Sequence, residues 1–128
     1  MEIRTHDKIN EELCGKVVAL EKGKSRVELK ATPEMAADEK GLVHGGFIFG
    51  LADYAAMVAV NEETVVLAGA EVKFLKPVVV GDLLVASAKV QKEEGKKRWV
   101  EVEVLRGEEV VFKGEFFCVV PEKHVLEL

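Results

Sequence analysis

Alternation of apolar and polar residues runs through most of this chain and is broken once by a long apolar stretch. In residues 25–31 Val27 and Leu29 alternate with Arg26, Glu28 and Lys30, and in 97–106 Val100, Val102 and Val104 alternate with Glu101 and Glu103. A period of two sends one set of side chains to a core and the other to water, so both segments read as strands with one wet face. Residues 64–76, 83–93 and 109–120 have the same character, and 16–21 forms a further short strand turned into 25–31 around Gly23. Pro77, Gly81-Asp82, Glu93-Glu94-Gly95-Lys96 and Arg106-Gly107-Glu108 supply the breaks between the later runs. Ile9 and Leu13, four apart, predict a short N-terminal helix over 5–14 that ends at Gly15.

The exception is Gly46-Phe-Ile-Phe-Gly-Leu-Ala-Asp-Tyr-Ala-Ala-Met-Val-Ala-Val60, which holds one charge and no proline. Too short to span a bilayer comfortably and interrupted by Asp53, it reads as a buried helix over about 45–61 with Asn61 as its stop. The order is then a short helix, two strands, a central apolar helix, and four strands in hairpin succession. That order predicts an α+β fold, an antiparallel sheet of about six strands covering one side of one helix. The helix is apolar all round and no second long helix is present to cover its other side. A second copy of the chain is the simplest cover, which predicts a homodimer, with a tetramer as the larger assembly this leaves open.

With 128 residues, 48% apolar and 32% charged, the chain has the balance of one globular domain, 1–128. A net charge of −5 argues against nucleic acid as a partner. Cys14 and Cys118 form no C-x-x-C pair and read as reduced packing residues. The polar start Met1-Glu2-Ile3-Arg4 carries no signal segment, so cytoplasmic residence and no membrane association are expected. Glu and Lys are abundant while the amides are only Asn10, Asn61 and Gln91, a bias that suits a thermophilic source.

Three features carry candidate chemistry. Asp53 is the only ionisable group in its apolar run, and a carboxylate there must be paired, protonated or put to use. Gly45-Gly46 opens the helix, where free N–H groups and the helix dipole can hold negative charge developing on a carbonyl oxygen; a tight turn is the plainer reading. His44 stands beside that start and can act as a base or as a loop-fixing group. No metal spacing surrounds it, so no metal is expected.

Taken together, Val43-His44-Gly45-Gly46 and Leu51-Ala52-Asp53, followed by Val72-Lys73-Phe74-Leu75-Lys76-Pro77 and Gly81-Asp82-Leu83, resemble the hotdog-fold acyl-CoA thioesterases of the phenylacetate-degradation (PaaI-like) type. The resemblance covers about residues 15–120. It implies a curved sheet wrapped around the central helix, a dimer, and hydrolysis of an acyl-CoA with no cofactor beyond the coenzyme A of the substrate. By that likeness the Gly45 N–H polarises the thioester carbonyl, Asp53 is general base or nucleophile, and His44 holds the loop. Gly46 and Asp38 lie at the substrate, and Phe49 and Tyr54, with Phe47 and Met57, are candidates for an acyl pocket. Gly45 and Asp53 are eight positions apart, about 12 Å along a helix axis, so the two must come from different subunits to meet one carbonyl. The chain departs from its relatives where they place an asparagine and a water-orienting hydroxyl: here stand Asp38, which cannot donate when ionised, and Leu67-Ala68-Gly69-Ala70. Those departures keep open a second reading, an acyl-CoA binding module or sensor with little turnover.

Overall fold

The computed structural model describes residues 1–128. Helix α1 (Glu11–Cys14) precedes strands β1 (Lys16–Glu21) and β2 (Lys24–Lys30), and helix α2 (Gly45–Val60) follows. Strands β3 (Val66–Phe74), β4 (Leu83–Glu94), β5 (Lys97–Arg106) and β6 (Glu109–Val119) complete the chain, with single 3-10 turns at Pro33–Met35 and Val125–Glu127. One six-stranded sheet takes the order β1-β2-β4-β5-β6-β3, with every neighbouring pair antiparallel.

The hairpin succession holds for β4, β5 and β6 but not for β3. That strand lies at the far edge beside β6, while β4 pairs with β2 in the middle of the sheet. Residues 75–82 carry the chain between them, and they are tied to the loop that leads into α2. Val43 N–H donates to the Val78 carbonyl (2.8 Å), and Val80 N–H donates to that of Gly41 (2.9 Å). The start of α2 is thereby fixed to the far end of β3.

Inward residues Val27, Ala86, Val100, Val102, Val104, Phe112 and Phe116 are all fully buried and meet α2 across the core. Truncating either phenylalanine to alanine is expected to cost about 3–5 kcal/mol. Asn61 ends α2 in the left-handed conformation, φ 52°, with its N–H bonded to the Met57 carbonyl. This is the stop its position predicts.

The N-terminal helix is corrected as well: it is not 5–14 but only Glu11–Cys14, because the Asn10 side chain accepts from the N–H groups of Glu12 and Leu13 and starts the helix there. Residues 5–9 run as irregular chain instead. Along α2, Leu51, Ala52, Ala55, Ala56 and Val58 are fully buried within one chain, whereas Gly46 is exposed and Phe47, Phe49, Gly50 and Asp53 are only partly covered. Strand β3 is open as well: Ala70 and Phe74 share the inward face with buried Phe116 and Phe112, yet both are exposed. The case for a second copy therefore rests on this face of the helix and on the edge strand together.

Candidate active site

Asp53 lies where α2 passes the beginning of β3, at a cleft of about 580 Å³ lined also by Thr5, His6, Met57, Val65, Val66 and Leu67. One of its carboxylate oxygens is buried without a hydrogen-bond partner. Burial pushes its pKa up to about 6, high for a carboxyl group and suited to a base working near neutrality. Burial, with the charge of Asp53 added, raises the Cys14 thiol and pushes the Cys118 thiol up to about 12. Both cysteines are thus held as neutral thiols, in keeping with packing roles.

Gly45 opens a different depression, about 320 Å³, lined by Leu42, Val43, Phe74, Leu75, Lys76, Pro77 and Val78. It is the first residue of α2 after His44, whose extended backbone makes it the N-cap. In the first turn of a helix the N–H groups of Gly45 and Gly46 have no intrahelical carbonyl to meet, and no loop carbonyl takes them. A Cβ at Gly45 would stand 3.2 Å from the Phe74 ring, so glycine here lets β3 and any ligand approach the backbone. The His44 imidazole makes no capping bond; it lies over Gly46, 3.0 Å from where a Cβ would be, and edge-on to Phe47. Its main-chain N–H donates to the Met35 carbonyl (2.9 Å), which ties the loop to the 3-10 turn before it.

The remaining candidates separate. Asp38 is exposed, and its Oδ1 accepts the N–H groups of Lys40 (2.9 Å) and Leu42 (3.2 Å), so its carboxylate folds the loop rather than facing a cleft. Phe49 packs on Phe116, ring centroids 5.4 Å apart, and Tyr54 is buried beside His6. Of the apolar side chains on α2 only Met57 reaches the Asp53 cleft. No cluster of His, Cys, Asp and Glu is placed to hold a metal ion, and no helix is long and apolar enough to cross a membrane.

Pattern reading passed over Thr5 and His6. In the expected helix over 5–14 they precede Ile9 by four and three positions and would merely share its packing face, and nothing in their spacing signals that residues 5–9 return to Asp53.

The model of the thioesterase superfamily matches residues 40–113 of this chain. The crystal structure of uncharacterized protein PH1136 from Pyrococcus horikoshii is 60% identical, with a TM-score of 0.97 over 98% of this chain and 97% of that one. Among curated relatives, methylthioribose-1-phosphate isomerase of Aquifex aeolicus is 59% identical over 93% of this chain, and transcription factor FapR of Caldanaerobacter subterraneus is 32% identical over 91%. The chain spans only 26% and 58% of the lengths of those two proteins. Escherichia coli PaaI shares the hotdog fold, with a TM-score of 0.75 at 24% identity over 81% of each chain.

Proposed function

The chain belongs to the thioesterase superfamily, and from that premise we propose that it hydrolyses an acyl-CoA thioester at a site shared by two copies of itself. Asp53 of one copy and the Gly45 end of α2 of the other act on the same carbonyl. The observation that carries this reading is the separation of the two groups: within one chain they open on different clefts that share no residue. Both border β3, Asp53 at Val66 and Leu67, Gly45 at Phe74. β3 has a free edge, and antiparallel pairing of that edge with its copy reverses the strand's ends. Asp53 then comes to the neighbour's Phe74–Pro77 and hence to its Gly45.

In that arrangement the Gly45 N–H, aided by the positive end of the helix dipole, takes up the charge that forms on the thioester oxygen. Asp53 is ionised at neutral pH yet basic enough to take a proton from water, or to attack the acyl carbon itself. The apolar walls around Gly45 suit a small to medium or aromatic acyl group. Release of free thiol across a panel of acyl-CoAs tests the proposal: turnover by the wild type and none by Asp53→Asn support it, and undiminished turnover by the variant contradicts it.

A second reading, acyl-CoA binding with little turnover, draws on the bonding of Asp38. Its carboxylate is committed to the Lys40 and Leu42 N–H groups, so it adds no donor to a substrate carbonyl, and the relative FapR is a transcription factor rather than a hydrolase by name. Calorimetric binding of acyl-CoA without thiol release would favour it.

A further inference from the structure

The Asp53 cleft holds one more half-buried ionisable ring, His6, in an unusual setting. His6 and Asn61 are the only residues other than glycine with positive φ, 54° and 52°. A left-handed backbone is uncommon for histidine and persists where the surroundings impose it. Here the end of α2 imposes it: Asn61 Oδ1 accepts the Arg4 N–H (2.7 Å) and its Nδ2 donates to the Glu2 carbonyl (2.9 Å). On the other side Ile9 N–H donates to the His6 carbonyl (3.1 Å). The ring is fixed as well. Buried Thr5 sets its hydroxyl 2.7 Å from Nδ1, and the Tyr54 ring lies 6.4 Å away. The other ring nitrogen, Nε2, has no partner within the chain.

The other polar groups around this cleft are occupied or exposed. Thr64 donates to the Pro121 carbonyl (2.6 Å), Glu63 turns to Arg4, and His124 Nδ1 accepts from the Leu126 N–H. Asp7, Lys8 and Glu11 are in water. β3 offers only Val66, Leu67 and Ala68 at this point, without a hydroxyl.

We propose that His6 is a positioning residue for hydrolysis, its Nε2 holding the water that Asp53 deprotonates. This rests on the thioesterase reading above and supplies from the N-terminal segment the water-holding group that β3 lacks. The water oxygen bonds to the acyl carbon as Asp53 takes one of its protons, while the other proton stays directed at Nε2. The C–S bond then breaks, the thiolate takes the proton from Asp53, and free acid and thiol leave. An imidazole can accept that bond only when neutral, and burial lowers the pKa of His6 from its usual value, which keeps it neutral at pH 7. The charged and titratable groups around it are Asp53 of α2, Asp7 and Lys8 of its own segment, Glu63 and His124 in the cleft, with Tyr54 beside the ring and Glu11 of α1 acting on Tyr54.

The test is the pH dependence of hydrolysis of acyl-pantetheine thioesters, which carry no phosphates to titrate, by the wild type and His6→Asn. Asparagine tolerates the left-handed backbone, and its Nδ2 keeps a donor near the place of Nδ1, which carries the proton and faces Thr5 when Nε2 accepts. In the wild type the acid limb of log kcat/KM should approach a slope of about two, because Asp53 and His6 must both be free of the proton; in the variant it should fall to about one. The variant should also lose about 10–100-fold in kcat with little change in KM, and imidazole in the buffer should restore part of it. If the asparagine variant does not fold, His6→Gln replaces it and is read by the slope alone, which should also fall to about one, because its Oε1 can accept the water near the place of Nε2 without titrating. A variant with wild-type kcat and slope overturns the role of His6 and leaves the thioesterase reading standing. No thiol release by the wild type from any acyl thioester overturns both.

Discussion

Gly45 and Asp53 stand on one helix, about 12 Å apart along its axis, and face separate clefts that are joined by the length of β3. What each contributes can be removed separately. His44, at φ −61° and ψ 131°, already has the backbone a residue before proline adopts, and Gly45 is the first residue of the helix, where proline is at home. Gly45→Pro therefore deletes the N–H with the helix start intact, while Gly45→Ala keeps the N–H and crowds Phe74. The expected outcome is a loss of about 10²–10³-fold in kcat for the proline variant, the usual effect of one oxyanion donor, and a much smaller loss for alanine. Equal losses in the two would assign the effect to crowding.

Asp53 also imposes a stability cost with a defined pH window. Its carboxyl binds a proton more tightly in the fold, at about 6, than in the unfolded chain, near the ordinary 3.8. Its contribution is thus intact below the unfolded value and lost as the pH rises through about 6, a penalty of about 3 kcal/mol at neutrality. Asp53→Asn should melt several degrees above the wild type at pH 7, with the gap closing as the pH is lowered below the carboxyl's unfolded value. Melting curves of the two proteins across that range check it, and a variant that melts lower at neutral pH would show the carboxylate to be paired.

The outer face of the sheet holds a mismatch that pairing with a second copy would resolve. Glu71 lies directly across from Glu115, and Lys73 across from Lys113, arrangements that weaken a sheet. Antiparallel pairing of β3 with its copy about a two-fold axis at Val72 would set each Glu71 against Lys73 of the second copy, and Ala70 against its Phe74 on the inner face. Glu71→Lys should weaken dimerisation, by about 0.2–1 kcal/mol for each of the two symmetric pairs, and adding Lys73→Glu should restore it. Sedimentation equilibrium of the three proteins decides the register; an unchanged dimer constant in Glu71→Lys excludes this one.

Much of the architecture is legible in the sequence because alternation and turn chemistry are local. The Val100-Val102-Val104 face, the uninterrupted apolar run of α2 and its stop at Asn61 follow from spacing alone, and Asp53 stands out as the single charge in that run. Two things are not local, and spacing does not reveal them. β3 pairs with β6 rather than β4 because the chain between them is bonded to the loop before α2, through contacts such as Val43 to Val78. The N-terminal segment covers the Asp53 cleft because Asn10 caps its helix late and Asn61 clamps Arg4 and Glu2. His6 is invisible to pattern reading for the same reason: 47 positions separate it from Asp53, and only the fold joins them.

The central claim, a site divided between two copies, is tested most directly by mixing two crippled proteins. Asp53→Asn and Gly45→Pro should each be inactive or nearly so as homodimers. After unfolding and refolding together in equal amounts, a mixed dimer holds one site with both defects and one with neither. Random pairing should then return about a quarter of wild-type thiol release. If each chain houses its own complete site, every site in the mixture carries one defect and no activity returns.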